Sequence, residues 1–253
     1  MKVQFAGQTD VGLKRNHNED SFLLLADHNL YMVADGMGGH SSGEVASRMA
    51  VETIAQFFRD SADDEDVTWP YKLDKGHTYE ENRLATGVKL ANLRIHETSS
   101  SDSRRKGMGT TLVSTRFVRD GIIIGHVGDS RVYRMREKKL DQLTEDHSLL
   151  NDYIKMKELT AEEIENFPHK NVIVRALGMK DTVQVDVVTT KPQIGDIYLL
   201  CSDGLCGMID DKAILEIIVA HETNLEAGCN ALIEAANANG GNDNITAVLL
   251  RVI

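Results

Sequence analysis

Thr111-Leu-Val-Ser-Thr-Arg-Phe-Val118 and Gly121-Ile-Ile-Ile-Gly-His-Val127 are two apolar, β-branched runs that meet at Asp120-Gly121, and the second empties into Gly128-Asp129. Each run has the length and composition of a strand. Asp-Gly favours the positive backbone dihedrals of a tight hairpin turn, so the two are expected to pair antiparallel. Similar runs at residues 21–25, 30–34, 131–135, 183–188, 196–201 and 244–252 read as further strands.

Helical spacing appears between them. Val45, Met49, Thr53 and Phe57 recur every four residues in 43–59, and Leu84, Val88, Ala91 and Ile95 share one face of 79–97. Residues 211–221 follow the capping Asp210, and 225–238 follow Asn224 and stop before Gly240-Gly241. All four apolar stripes are expected to face a core. Strands interspersed with paired helices, without regular strand–helix alternation, predict an α+β fold of antiparallel sheets covered by helices. The polar stretches 60–66 and 99–106 read as surface loops inside a single domain spanning 1–253. Residues 145–170, with the capping-box pattern Thr160-Ala-Glu-Glu163, form a polar excursion expected to make a small flap beside the sheet.

Composition narrows the function classes. A net charge of −11 disfavours nucleic acid, which needs clustered Lys and Arg. There is neither an 18-residue apolar span nor a secretory apolar region at the start, so a cytoplasmic protein with no membrane partner is expected. Cys201, Cys206 and Cys229 form no Cys-x-x-Cys pair and read as buried thiols.

The chemistry lies in aspartates at strand ends. Asp35-Gly36 follows Leu30-Tyr-Met-Val-Ala, Asp129 follows Ile124-Gly-His-Val-Gly, and Asp203-Gly204 follows Tyr198-Leu-Leu-Cys-Ser. Asp243 precedes the last strand, and Glu19-Asp20 the second. Any one alone is an ordinary turn. If the fold gathers them, two carboxylates about 4 Å apart repel by roughly 4 kcal/mol at an effective dielectric near 20, so cations are required. Oxygen-only ligands suit Mg²⁺ or Mn²⁺. Gly36 is expected to let the chain turn sharply enough for its carbonyl to serve as a ligand.

These motifs resemble the bacterial form of the metal-dependent protein phosphatase family, also called protein phosphatase 2C. The resemblance runs through Arg15-Asn-His-Asn18-Glu19-Asp20, Val33-Ala-Asp35-Gly36-Met-Gly-Gly39, Gly107-Met-Gly-Thr-Thr111 and Gly128-Asp129-Ser130-Arg131. It continues through Leu143-Thr-Glu-Asp-His147, Arg175-Ala-Leu-Gly178, Ser202-Asp203-Gly204 and Gly241-Asn-Asp243-Asn244.

The resemblance implies a sandwich of two antiparallel sheets, flanked on both outer sides by pairs of antiparallel helices, and Mg²⁺- or Mn²⁺-dependent hydrolysis of phosphoserine and phosphothreonine by activated water. Asp35 would bridge two ions, the Gly36 carbonyl would bind one, and Asp203 and Asp243 the other. Asp129 would hold a third, weaker ion with help from Asp203, while Glu19 and Asp20 act through water. Arg15 would clamp the phosphoryl group with its planar fork. Eukaryotic members place a candidate general acid, a histidine, where this chain has Met37; His40 stands three residues on as a substitute donor. Substrates would be phosphoproteins made by a Ser/Thr kinase, and the chain would act as a monomer. Two other readings stand beside this one: a catalytically impaired phosphoprotein-binding module, and a phosphatase of small phosphate esters.

Overall fold

In the computed structural model the described residues are 2–38, 42–62, 69–157, 159–160, 163–164, 167 and 172–253. Eleven strands are described: β1 (Val3–Asp10), β2 (Asp20–Leu25), β3 (Leu30–Met37), β4 (Gly109–Thr110), β5 (Leu112–Val118), β6 (Gly121–Val127), β7 (Arg131–Arg136), β8 (Lys139–Gln142), β9 (Asp186–Thr190), β10 (Ile197–Cys201) and β11 (Ile245–Val252). They form two sheets, ordered β1-β11-β10-β7-β8 and β2-β3-β5-β6-β9, with β4 paired to β3. Every pairing is antiparallel.

Period-two alternation sends one face of each sheet inward. Tyr31, Val33, Val113 and Ile124 from one sheet meet Val132, Tyr198, Leu200 and Val248 from the other. The outer faces are covered by helices. On the β2–β9 sheet lie α1 (Ser42–Asp60) and α2 (Tyr79–Ser101). On the β1–β8 sheet lie α5 (Asp211–Ala220) and α6 (Leu225–Ala238). Between these helix pairs in sequence come α3 (Leu149–Met156) and the short α4 (Asp203–Cys206). The fold is the expected α+β sandwich.

Several local expectations hold and several change. Asp210 and Asn224 cap α5 and α6 by accepting from the Ala213 and Ala227 amides at 2.8 and 3.1 Å. The stripe Leu84, Val88, Ala91 and Ile95 is fully buried. On α1, however, the line against the sheet is Ala46, Ala50, Ile54 and Phe58, one residue on from the expected stripe. The expected stripe turns toward α2: Met49 takes the Thr98 hydroxyl, Thr53 meets Arg94, and Phe57 sits at Gly87. Small alanines let the helix approach the sheet, leaving the larger side chains to fill the gap between helices.

The β5–β6 hairpin forms with Val118 opposite Gly121, so its loop is Arg119-Asp120, and neither loop residue nor Gly121 has positive φ. The left-handed turn occurs instead at Glu137-Lys138, with φ of 51° and 58°, between β7 and β8. Ser99–Ser101, expected as loop, extends α2. Of the expected flap, α3 and the reciprocal Thr160–Glu163 capping bonds are seen. The flap is joined at its base: the Leu149 amide donates to the Val172 carbonyl, and the Val174 amide to that of His147.

Candidate metal centre

Strand pairing brings the acidic residues together. Asp20 opens β2 directly opposite Asp35 near the end of β3. From the other sheet, Asp203 begins α4 just after β10, and Asp243 lies two residues before β11. Asn244 ties the segments: its side-chain oxygen accepts from the Glu19 amide at 2.8 Å, and its nitrogen donates to the Val11 and His17 carbonyls at 2.9 Å each. Asp20 Oδ2 crosses between the sheets, accepting from Ser202 Oγ at 2.7 Å and Thr246 Oγ1 at 2.6 Å.

Backbone crowding around these carboxylates explains the glycines. Gly36 stays within β3 and has no positive φ, so the expected sharp turn does not occur. A Cβ there would instead lie 2.2 Å from the Gly43 carbonyl oxygen and 2.5 Å from that of Glu19. Likewise a Cβ at Gly204 would lie 2.0 Å from the Asn244 carbonyl oxygen. The walls of the site are main chain in contact with main chain, leaving no volume for side chains.

Asp20 and Asp129 are buried, Arg15 pairs with Asp243 at the rim, and Arg131 is committed to Asp146. Burial, then Asp20, Asp203 and Asp129, push the Asp35 carboxyl well above its usual range. Asp20 rises to about 7, mainly by burial, although the Thr246 and Ser202 hydroxyls oppose the shift. Burial and then Asp203 raise Asp129 to about 7. Asp203 is raised by burial too, its hydrogen bond with Asp35 acting in the opposite direction. Like charges thus crowd together at Asp35, Asp203 and Asp129, where a cation would serve them.

The donor chemistry fits hard divalent cations. Asp20 Oδ1 and Asp129 Oδ1 are buried with no hydrogen-bond partner, a costly state that a cation, or water bound to one, would relieve. Among the described residues no three His, Cys, Asp or Glu side chains meet around one point. The carboxylates approach pairwise, Asp20 facing Asp35 across the β2–β3 pair and Asp35 adjoining Asp203.

Two hollows open on the cluster. One of 240 Å³ is lined by Asp129, Asp203, Arg131 and Asp146, with Ser148 and Asn151 from the flap side. The other, of 420 Å³, holds Lys14, Arg15, His17, Glu19 and Gly38. Hollows of 590 and 560 Å³ elsewhere on the surface contain none of the clustered aspartates. Arg15 is half exposed and donates to Asp243 Oδ2 at 2.6 Å. His40 lies outside the described residues.

Arg131 and Asp146 border the site although neither is among the residues expected there. Asp146 Oδ2 accepts from Arg131 Nη2 at 2.6 Å and Oδ1 from Nε at 2.9 Å, a fork that borders the 240 Å³ hollow. Both residues stand in quoted motifs, but no spacing rule links positions fifteen apart.

The protein phosphatase 2C family model matches residues 14–249. The chain belongs to this family of metal-dependent phosphatases. It is 38% identical over 250 residues to serine/threonine phosphatase stp of Listeria monocytogenes serotype 4b, covering 96% of this chain and 93% of the relative. With protein phosphatase PhpP of Streptococcus pneumoniae it shares 37% identity, covering 96% of this chain and 94% of that one. The crystal structure of the catalytic domain of serine/threonine protein phosphatase PstP in complex with two manganese ions superposes with a TM-score of 0.82 at 32% identity, covering 99% and 98% of the two chains.

Proposed function

We infer that the chain is a metal-dependent protein serine/threonine phosphatase, a single catalytic domain over residues 1–253. The observation that carries this reading is the convergence of Asp35, Asp129, Asp203 and Asp243 from both sheets on one place, with Asp20 Oδ1 and Asp129 Oδ1 buried and unpartnered. Asp35, the Gly36 carbonyl, Asp203 and Asp243 are assigned to two Mg²⁺ or Mn²⁺ ions, and Asp129 with Asp203 to a third. When bound, the ions supply Lewis acidity that activates water for attack on phosphorus.

The chain's own residues orient and neutralise. Asp20, held by Ser202 and Thr246, keeps one free oxygen for an ordered water, and Glu19, which lines the adjoining hollow, is assigned the same role through water. Arg15 exchanges part of its bond to Asp243 for phosphoryl oxygens, a planar cation matched to a tetrahedral dianion. His40 is assigned as proton donor to the departing serine oxygen. The flap, residues 145–170, borders the 240 Å³ hollow through Ser148 and Asn151 and is assigned to protein-substrate choice.

Substrates are phosphoproteins made by a Ser/Thr kinase, met by a monomer in the cytoplasm. Among the described residues no helix is long and apolar enough to cross a membrane. The decisive experiment compares phosphoserine peptides, p-nitrophenyl phosphate and small metabolite esters with Mn²⁺ and with excess EDTA. Turnover of the peptides only with Mn²⁺ is expected. Full activity in EDTA would sink the mechanism, binding without turnover would favour the impaired module, and a preference for metabolites would change the substrate class.

A further inference from the structure

Beside Gly128 lies a second ionisable cluster, in which His126 and His147 are buried and Arg175 and Asp186 half-buried. His147 stands at the entry to the flap and Arg175 just beyond its exit. Gly128 donates its amide hydrogen to His147 Nδ1 at 3.0 Å, and the His147 amide donates back to the Gly128 carbonyl at 2.8 Å. Because Nδ1 accepts, the ring's single proton sits on Nε2. That nitrogen faces Asp186 Oδ2 at 3.2 Å, and Arg175 Nη1, 3.0 Å from it, donates to Asp186 Oδ1 at 2.6 Å. The His126 ring stacks on His147, with centroids 4.5 Å apart.

Gly128 has little freedom on its other side. Its φ is +112°, and a Cβ would meet Thr111 Cβ at 2.6 Å. Thr111 in turn bonds Ser130 Oγ at 2.7 Å and the Asp35 carbonyl at 2.8 Å. The backbone leading into Asp129 is therefore gripped between Thr111 and His147. Of the two grips only His147 belongs to the flap's base.

We propose that His147 is a positioning residue for Asp129. Locked as the Nε2–H tautomer by Asp186, it holds the Gly128 amide and so sets the Asp129 carboxylate, with its unpartnered Oδ1, where the weaker ion binds. This rests on the reading of Asp129 as a ligand of that ion. The flap's base and the ion site then share one fixed element.

Two substitutions separate this role from bulk packing. His147→Asn places an amide oxygen near the position of Nδ1 and keeps an acceptor for Gly128; His147→Gln extends its amide toward the position of Nε2 and loses that acceptor. Free Mn²⁺ followed by electron paramagnetic resonance during titration counts bound ions without reference to turnover, and amide exchange at Gly128 reports the bond itself. The expected result is that His147→Gln weakens the weaker class of ions by about 10- to 100-fold, the range for outer partners of metal ligands. It also speeds Gly128 exchange, while leaving the tight ions in place. His147→Asn should match wild type in both readouts.

Asp129→Asn serves as the reference and should lose the weaker class. If it does and His147→Gln titrates like wild type, the proposal is overturned. Equal losses in His147→Asn and His147→Gln would overturn it too, reducing His147 to packing. Retention of the weaker class in Asp129→Asn would remove the underlying reading of Asp129, and the proposal with it. Should His147→Gln fail to fold, Asp186→Asn, which removes the charge holding Nε2–H, is expected to give a smaller loss in the same class; no loss there would overturn the proposal.

Discussion

Two ionisable clusters meet at Gly128, and they answer the cost of burial in opposite ways. His147, Arg175 and Asp186 satisfy one another: cation meets carboxylate, and the imidazoles stay neutral because burial lowers their pKa, His126 to about 3. The aspartate cluster has Arg15 at its rim and an Arg131 already tied to Asp146, and burial there favours the protonated acids, with Asp20 and Asp129 raised to about 7. In the first cluster the charged groups find partners within the chain, although His126 Nε2 has none. The other is complete only with cations from outside, and that deficit is what catalysis uses.

The largest break in this comparison comes from removing ligand charge. Asp203→Asn and Asp243→Asn should each lower turnover by more than about 100-fold, the upper end for residues that act on a metal only indirectly. Circular dichroism should show the fold retained. Near-normal turnover in both, at controlled Mn²⁺, would mean the ligands are misassigned.

A pH experiment separates the two clusters by sign. A carboxylate whose folded pKa is raised lends stability that is full below the unfolded value near 3.8 and is lost as pH rises through about 7. A histidine whose folded pKa is lowered lends stability that is full above 6.5 and is lost as pH falls toward about 3. In EDTA the aspartates dominate, so the melting temperature should fall between pH 4.5 and 6.5 as pH rises. Saturating Mn²⁺ replaces their protons, so only the histidine slope remains and the trend reverses. The same slope in both conditions would show that the aspartates do not bind the metal. Within the Mn²⁺ series, His126→Gln should reduce the slope, by at most about 1.4 kcal/mol per pH unit.

Smallest in stability is Arg15. Its pair with Asp243 is exposed on both sides, so Arg15→Ala should change folding free energy by about 0–1 kcal/mol. Substrate KM and the inhibition constant of inorganic phosphate should rise about tenfold or more, as for a lost charge-assisted hydrogen bond. If both are unchanged, Arg15 is not the clamp.

Legibility in the sequence followed burial. Interior strands such as β6 and β10, buried along their whole length, were visible as apolar runs and their bounds moved by one residue at most. The edge strands β1 and β8 were not. Val-Gln-Phe-Ala-Gly-Gln-Thr-Asp and Lys-Leu-Asp-Gln are half solvated, and their pairing is set by the neighbouring strand rather than by their own hydrophobicity. Strand-end aspartates were readable because an apolar run ending in Asp-Gly is local information. The Gly128–His147–Asp186–Arg175 chain spans 58 residues of sequence with no periodicity, and Asp186 appeared only as part of an apolar run whose start moved from 183 to 186. Glycine roles were half readable: Gly36 was picked out, but for a turn, whereas it is contact with Gly43 and Glu19 that excludes a side chain.

The bonds from Asp20 to Ser202 and Thr246 join residues 182 and 226 positions apart in the chain. Contacts of such separation carry a large loop-closure cost and tend to form after local hairpins such as β5–β6. The cations that need both sheets in place therefore act late on the folding route. Mn²⁺ should slow unfolding strongly while leaving the refolding rate nearly unchanged, as expected for interactions absent from the transition state. Stopped-flow denaturant jumps with and without Mn²⁺ would show this as a shift of the unfolding limb alone; an equal acceleration of refolding would mean that the two ends of the chain meet early. In the cell, loss of metal would then shorten the protein's lifetime as well as silence it.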